Sequence, residues 1–311
     1  MCFSTIYWLS GLFSLLVSPF SKFTRIISEN PFTPEDFIEI NKICKPTFFF
    51  GTPSQIGQLL AHPNLDQNTL TNLRVIFLGG STIPYKLVEK IKKYVPDALI
   101  FTVYGQTESS GSVSKGPVIE NNNVGQLVPN IEIKIIDDDN KSLEPGEVGE
   151  ICSRTYYHWP GYYGNPKATN DVYDSERWIH SGDLGYFNEK GDLYVIDRKK
   201  DILKYNNYHF SPSEIEAVIL EIPDVVEVCV FGVPDIIFTF LPAAAIVKLP
   251  GSTLTGYKVY KHVKERMVHF KQLRGGVYFI NELPKTPSGK IIRFKTAELC
   301  QSNELKFLNV T

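Results

Sequence analysis

The sequence predicts an α/β protein: a parallel α/β sheet joined to a small β subdomain, followed by a small α+β domain. Three observations carry this. Residues 73–78 (LRVIFL) and 98–103 (ALIFTV) are unbroken apolar runs with a helical stretch between them, the pattern of parallel strands buried on both faces. From about Val124 the texture changes to short alternating strands with tight turns. After Asp197, helical and strand patterns mix over roughly a hundred residues, a common domain size.

The elements follow in order. Residues 1–20, MCFSTIYWLSGLFSLLVSPF, are apolar throughout. A signal peptide or anchor is one reading, but no Lys or Arg precedes the run and no small-residue cleavage site follows it. The run is barely long enough to span a bilayer. The reading carried forward is a buried strand and helix of a larger domain, with no membrane segment. Residues 31–43 form a helical pattern with Thr33 as N-cap, Pro34 at the first helical position and apolar Phe37, Ile38 and Ile40. Residues 47–50 read as a strand that stops at Gly51, where a helix begins. Ser81 to Pro84 open a helix whose Leu87, Val88 and Ile91 share one face.

In the β region, residues 131–137 (IEIKIID), 147–154 (EVGEICSR) and 191–197 (GDLYVID) are strands, with turns at Glu144-Pro145-Gly146 and Asn188-Glu189-Lys190-Gly191. Ser211-Pro212-Ser213-Glu214 has the form of a capping box. Residues 225–233, 243–249 and 275–280 then read as strands, and 256–270 as helix.

Composition narrows the function classes. A 43% hydrophobic content with 21% charged residues is that of an ordinary globular protein. A net charge of −2 without a basic stripe speaks against nucleic-acid binding. Cys2, Cys44, Cys152, Cys229 and Cys300 are scattered and never form a C-x-x-C pair, which argues against a zinc site or a disulfide framework and fits a reducing compartment.

Loops at the carboxyl ends of parallel strands are where ligands usually bind. Two are chemically equipped, Gly79-Gly80-Ser81 and Tyr104-Gly105-Gln106-Thr107-Glu108. The second offers a ring to stack on a base, a glycine for close backbone approach, a hydroxyl for phosphate and a carboxylate for Mg²⁺. Ser181-Gly182-Asp183 supplies an acceptor suited to a ribose diol. Each stretch alone is equally compatible with a plain surface turn. The same holds for the charge run from Asp197 to Asp201 and for the Pro284 to Lys290 loop.

Together these phrases are specific. Tyr-Gly-Gln-Thr-Glu, Ser-Gly-Asp, Asp-Arg-x-Lys and Pro-Lys-Thr-x-Ser-Gly-Lys occur here in the order found in the adenylate-forming superfamily of acyl-CoA ligases, coumarate-CoA ligases and firefly-type luciferases. Gly161-Tyr162-Tyr163 with Asn165-Pro166, Trp178-Ile179-His180-Ser181-Gly182-Asp183 and Leu273-Arg274-Gly275-Gly276 extend the match, so the sequence resembles that superfamily over nearly its whole length.

The resemblance implies that residues 1–197 are the C-terminal part of the large adenylation domain, with 124–197 its β subdomain. Residues 198–311 would be a small mobile domain hinged near Lys200. It further implies that Tyr104 stacks beside adenine, with Gly79, Gly80 and Ser81 as a wall and Gly105 and Gln106 lining the nucleotide. Thr107 binds the α-phosphate, Glu108 ligates Mg²⁺, Asp183 accepts the ribose hydroxyls and Arg198 assists at ribose or phosphate. Lys290 reaches the reacting carboxylate, and Lys204 and Asn207 flank the CoA channel.

The implied activity is ATP-dependent joining of a small carboxylic acid, fatty or aryl, to CoA through an acyl-adenylate. The implied ligands are ATP or AMP, Mg²⁺ and CoA. A luciferase-like monooxygenase and a non-catalytic AMP-binding fragment are the alternatives. A cytoplasmic location is expected, or a peroxisomal one by family analogy, although the C-terminus is not Ser-Lys-Leu.

Three departures stand out. The superfamily's Ser/Thr/Gly-rich phosphate loop ending in Pro-Lys-Gly occurs nowhere between Met1 and Thr311, so the sequence reads as N-terminally truncated relative to the family. Asn206-Asn207 stands where the family has Lys-Gly; asparagine tolerates φ > 0, so the turn is expected to survive. Ile236 to Phe240 puts an apolar run at an expected surface loop.

Overall fold

The first of two units is built outward from three parallel strands. The computed structural model describes residues 1–206, 208–286 and 289–302. It divides into one unit of Met1–Pro53 and Asp66–Lys200 and another of Ser54–Leu65 and Asp201–Thr311. Strands β1 (Phe48–Gly51), β2 (Val75–Gly79) and β3 (Leu99–Gln106) pair in parallel, as the apolar runs predict. Helices α2 (Pro34–Cys44) and α4 (Tyr85–Lys92) bury Phe37, Val88 and Ile91, which join Phe49, Ile76, Leu78 and Ile100 in the core. Thr33 caps α2 as expected, its hydroxyl accepting from Asp36 N at 3.1 Å, with Pro34 following it.

The sheet continues antiparallel through β4 (Gly111–Pro117), β5 (Asn123–Leu127), β6 (Ile131–Ile136), β7 (Gly149–Thr155), β8 (Ile179–Phe187) and β9 (Leu193–Arg198), with the short α5 (Pro166–Val172) between β7 and β8. The strand order is β1-β2-β3-β4-β5-β9-β8-β7-β6, so the small β region shares strand β5 with the parallel part.

The amino-terminal stretch departs from expectation. Its first residues do lie beside β1, through a Cys2–Phe50 bridge and the Met1 ammonium on Phe48 O. The helix α1 (Leu9–Ser21) forms too, but buries only Gly11 and leaves Leu12, Phe13, Leu15, Leu16 and Phe20 exposed. The reason is geometric: among the described residues nothing packs over that apolar face. No helix of the described residues is long and apolar enough to cross a membrane.

The second unit adds α3 (Pro53–Ala61) to β10 (Leu203–Tyr205), β11 (Tyr208–Phe210), α6 (Pro212–Ile219), β12 (Val225–Asp235), β13 (Thr239–Lys248), α7 (Gly256–Lys264), β14 (Gly276–Phe279) and α8 (Arg293–Gln301). Successive side chains on β12 point to opposite faces, and both faces are covered. Val228 and Val230 face Ile215, Ile219, Val259 and Val263 from α6 and α7, while Cys229 and Phe231 face Cys300 from α8. Double burial is why Val228 to Phe231 of this strand read as an unbroken apolar run. It also pushes the Cys229 thiol up to about 12.

Three local expectations are corrected or refined. The capping box at Ser211 does not form. The Ser211 hydroxyl pairs with that of Ser213 at 2.7 Å and makes no cap bond, and the Glu214 carboxylate is drawn to Lys271 instead. Strand β3 runs on to Gln106 rather than ending at Tyr104-Gly105, because β4 returns antiparallel and pairs with Gly105 and Gln106. The apolar run after Asp235 is a hairpin tip. Ile236 and Ile237 are exposed, whereas Phe238 stacks on Tyr205 with ring centroids 4.8 Å apart. Asn206 turns at φ 51°, as an asparagine can.

Candidate functional site

Residues from three distant stretches converge on Asp183. The β8–β9 register sets Asp183 opposite Arg198, whose Nε lies 3.4 Å from Asp183 Oδ1. From β3 the Tyr104 hydroxyl donates to Asp183 Oδ2 at 2.7 Å. The backbone that presents Asp183 is itself fixed. Ser181 Oγ donates to Ile151 O at 2.6 Å and accepts from Asp183 N at 3.0 Å, and Gly182, at φ 69°, donates its N–H to Glu150 Oε1 at 3.1 Å. Burial, and next the Asp183 charge, push the Tyr104 phenol above the usual tyrosine range, so Tyr104 remains a neutral donor.

The two glycine-bearing loops lie side by side at the carboxyl ends of β2 and β3. Gly79 pairs with Val103, and a Cβ there would stand 2.8 Å from Val103 O. Gly80 follows at φ 90°, leading to exposed Ser81. At the β3–β4 bulge, a Cβ on Gly105 would meet Gly111 O at 2.2 Å, so only glycine fits. Gln106 is tied to the turn by Ser109, whose hydroxyl donates to Gln106 O at 2.9 Å.

Thr107 is exposed on that turn. Glu108 does not join Asp183; its carboxylate accepts from the Tyr162 hydroxyl. Burial and then Glu108 push the Tyr162 phenol up to about 12. Lys200 closes the first unit in a 3₁₀ turn (Lys199–Asp201) and is exposed, while Lys199 reaches Asp138 at 2.9 Å and Glu150 at 3.5 Å. Lys204 and Lys290 belong to the second unit and are exposed; the Lys290 backbone pairs with Thr286. Asn207 lies outside the described residues.

Sequence reading singled out Tyr104, Asp183 and Arg198, which the fold brings together. It gave no role to Ser181, Glu150, Ser109 or Tyr162. Ser181 and Tyr162 sit inside recognisable phrases, but nothing local marks Glu150, whose partners are chosen by the β7–β8 pairing.

The family model described as AMP-binding enzyme matches residues 1–163, and that of the AMP-binding enzyme C-terminal domain matches residues 214–290. The chain belongs to the AMP-binding enzyme family. Among its relatives, 4-coumarate-CoA ligase 1 of Narcissus pseudonarcissus is 29% identical over 301 residues, covering 94% of this chain and 55% of that protein. Luciferin 4-monooxygenase of Nipponoluciola cruciata is 33% identical over 270 residues, covering 86% of this chain and 49% of that protein. Among solved structures, an anthranilate CoA ligase in complex with anthranoyl-AMP superposes with a TM-score of 0.87 at 25% identity, covering 96% of this chain and 58% of that one. The chain therefore spans about half the length of the curated relatives it matches.

Proposed function

We propose that this chain serves an ATP-dependent acid–thiol ligase that converts a small carboxylic acid to an acyl-adenylate and then to an acyl-CoA. The observation that carries the reading is the Asp183 carboxylate held between Tyr104 and Arg198. An ionised carboxylate is purely an acceptor with several lone-pair sites, the chemistry a vicinal ribose diol asks for.

In this reading Tyr104 also lines the adenine, Gly79, Gly80, Ser81, Gly105 and Gln106 form the nucleotide wall, and Arg198 assists at the ribose. A carboxylate oxygen of the acid attacks the α-phosphorus, the bond to the bridging oxygen breaks, and pyrophosphate leaves. Two anions meet in that step, so the Thr107 hydroxyl and the Lys290 ammonium offset charge at the transition state. The CoA sulfur then attacks the acyl carbon, its proton passes to solvent, and AMP leaves.

No group of three or more His, Cys, Asp or Glu among the described residues could hold a metal. Glu108 offers one carboxylate, which suits a Mg²⁺ that keeps waters and arrives on the nucleotide's phosphates. Bound there, the cation supplies neutralisation of phosphate charge. Residues 1–197 and 198–311 are the two functional domains, with Lys200 at the hinge and Lys204 and Asn207 along the CoA path. The coumarate and anthranilate named for relatives favour an aryl acid.

A second reading is AMP binding without adenylation, which asks only for the cluster of Asp183, Tyr104 and Arg198. One assay separates the two: pyrophosphate release and AMP formation with ATP, Mg²⁺, CoA and a panel of aryl and fatty acids. Turnover is expected, falling about 100-fold or more in Lys290→Ala, while AMP binding is retained there and weakened in Asp183→Ala. A folded chain that binds AMP without turnover establishes the second reading, and a chain that does not bind AMP overturns both.

A further inference from the structure

Two adjacent tyrosines, Tyr162 and Tyr163, are treated oppositely by the fold. Tyr163 is fully exposed at 106%. Tyr162 is clamped. Its N–H donates to Thr169 Oγ1 at 2.9 Å, its carbonyl accepts from Asn165 N at 3.1 Å, and Trp159 packs edge-on against its ring with centroids 4.9 Å apart. Thr169 Oγ1 in turn donates to Asn165 O at 3.0 Å, and Asn165 Oδ1 caps α5 by accepting from Ala168 N at 3.0 Å.

Gly161 completes the frame. Its φ is 89°, and a Cβ there would stand 2.6 Å from the Thr169 methyl, so no other residue lets the chain turn this closely over Thr169. The bonds at the Tyr162 N–H and carbonyl hold its backbone, and the far end of its side chain, the hydroxyl, donates to Glu108, 54 positions away.

We propose that Tyr162 is a positioning residue that orients the Glu108 carboxylate for the cation carried by the nucleotide. The inference rests on the reading of Glu108 as the Mg²⁺ ligand. Glu108 lies on a turn between exposed Thr107 and buried Ser109, and a free glutamate loses its rotamer freedom when it takes a ligand. A glutamate already held by Tyr162 has lost that freedom beforehand, which favours binding. Partners that orient a ligating group typically change metal affinity by 10- to 100-fold when removed.

The test is ATP binding by calorimetry across a Mg²⁺ titration, and again in EDTA, for wild type, Tyr162→Phe, Tyr163→Phe and Glu108→Gln. We expect Glu108→Gln to lose the Mg²⁺-dependent gain in affinity. Tyr162→Phe should raise the Mg²⁺ midpoint about tenfold and leave the affinity in EDTA unchanged, a split that loosened loop packing would not produce. Tyr163→Phe should match wild type. If Glu108→Gln loses the gain and Tyr162→Phe does not shift the midpoint, the inference falls alone. If Glu108→Gln behaves as wild type, or wild type binds no ATP, the reading of Glu108 falls and takes this inference with it. Should Tyr162→Phe melt early, Thr169→Val, which releases the Tyr162 backbone but keeps its hydroxyl, is read instead; an unshifted midpoint there also overturns the proposal.

Discussion

Glu227 is a buried carboxylate in the second unit. Its side chain is 7% exposed and lies 2.8 Å from Lys285 Nζ, while Ser54 Oγ donates to it at 2.5 Å and Gln58 Nε2 lies 3.4 Å away. A buried ion pair of this kind adds little over a well-packed apolar pair, yet removing one partner leaves an uncompensated charge. Lys285→Met is therefore expected to destabilise the chain by about 3–5 kcal/mol, read as a lower urea midpoint. Adding Glu227→Gln to Lys285→Met should recover part of that loss, because the remaining group is then neutral. If the double variant is no more stable than Lys285→Met, the charge is not what the lysine offsets. Nothing in the sequence around Glu227 marks it as buried: it interrupts an apolar strand, and its partners come from 58, 169 and 173 positions away.

Helix ends show which local signals are reliable. At α2 every bonding partner of the cap lies within three residues, so Thr33 and Pro34 could be read directly and the structure agrees. Thr255 caps α7 in the same way, accepting from Lys258 N at 3.3 Å. Thr33→Ala is expected to cost about 1 kcal/mol, measured by chemical unfolding, with Thr33→Ser close to wild type. Equal stability of the two variants would mean that the hydroxyl adds nothing. At α6 the same kind of pattern misleads, because Lys271, 57 positions from Glu214, takes the carboxylate that a capping box needs. A local rule holds until a stronger distant partner competes for one of its atoms.

For the whole molecule, the division into units does not follow the order of the chain. Ser54–Leu65 belongs with Asp201–Thr311, joined by the Glu227 cluster and by close packing at Gly57, where a Cβ would stand 3.2 Å from Val226 O. A site-specific protease sequence inserted between Lys200 and Asp201 should accordingly yield two fragments that elute together on native gel filtration and separate only in denaturant. Separation under native conditions would show that residues 54–65 hold the second unit too weakly to count as part of it.

Patterns with short reach were settled by the sequence alone. The apolar runs of β2 and β3, the cap of α2, the glycines at their turns and the ordered phrases that mark the family all depend on backbone sterics and neighbouring side chains. The tertiary structure decided what depends on pairing between distant strands. Tyr104 meets Asp183 across 79 positions because β3 and β8 are set in one sheet, Tyr162 reaches Glu108 across 54, and α1 keeps its apolar face exposed. A side chain's chemistry is written at its own position, but its partner is fixed by strand register and burial, and no window of the sequence holds those.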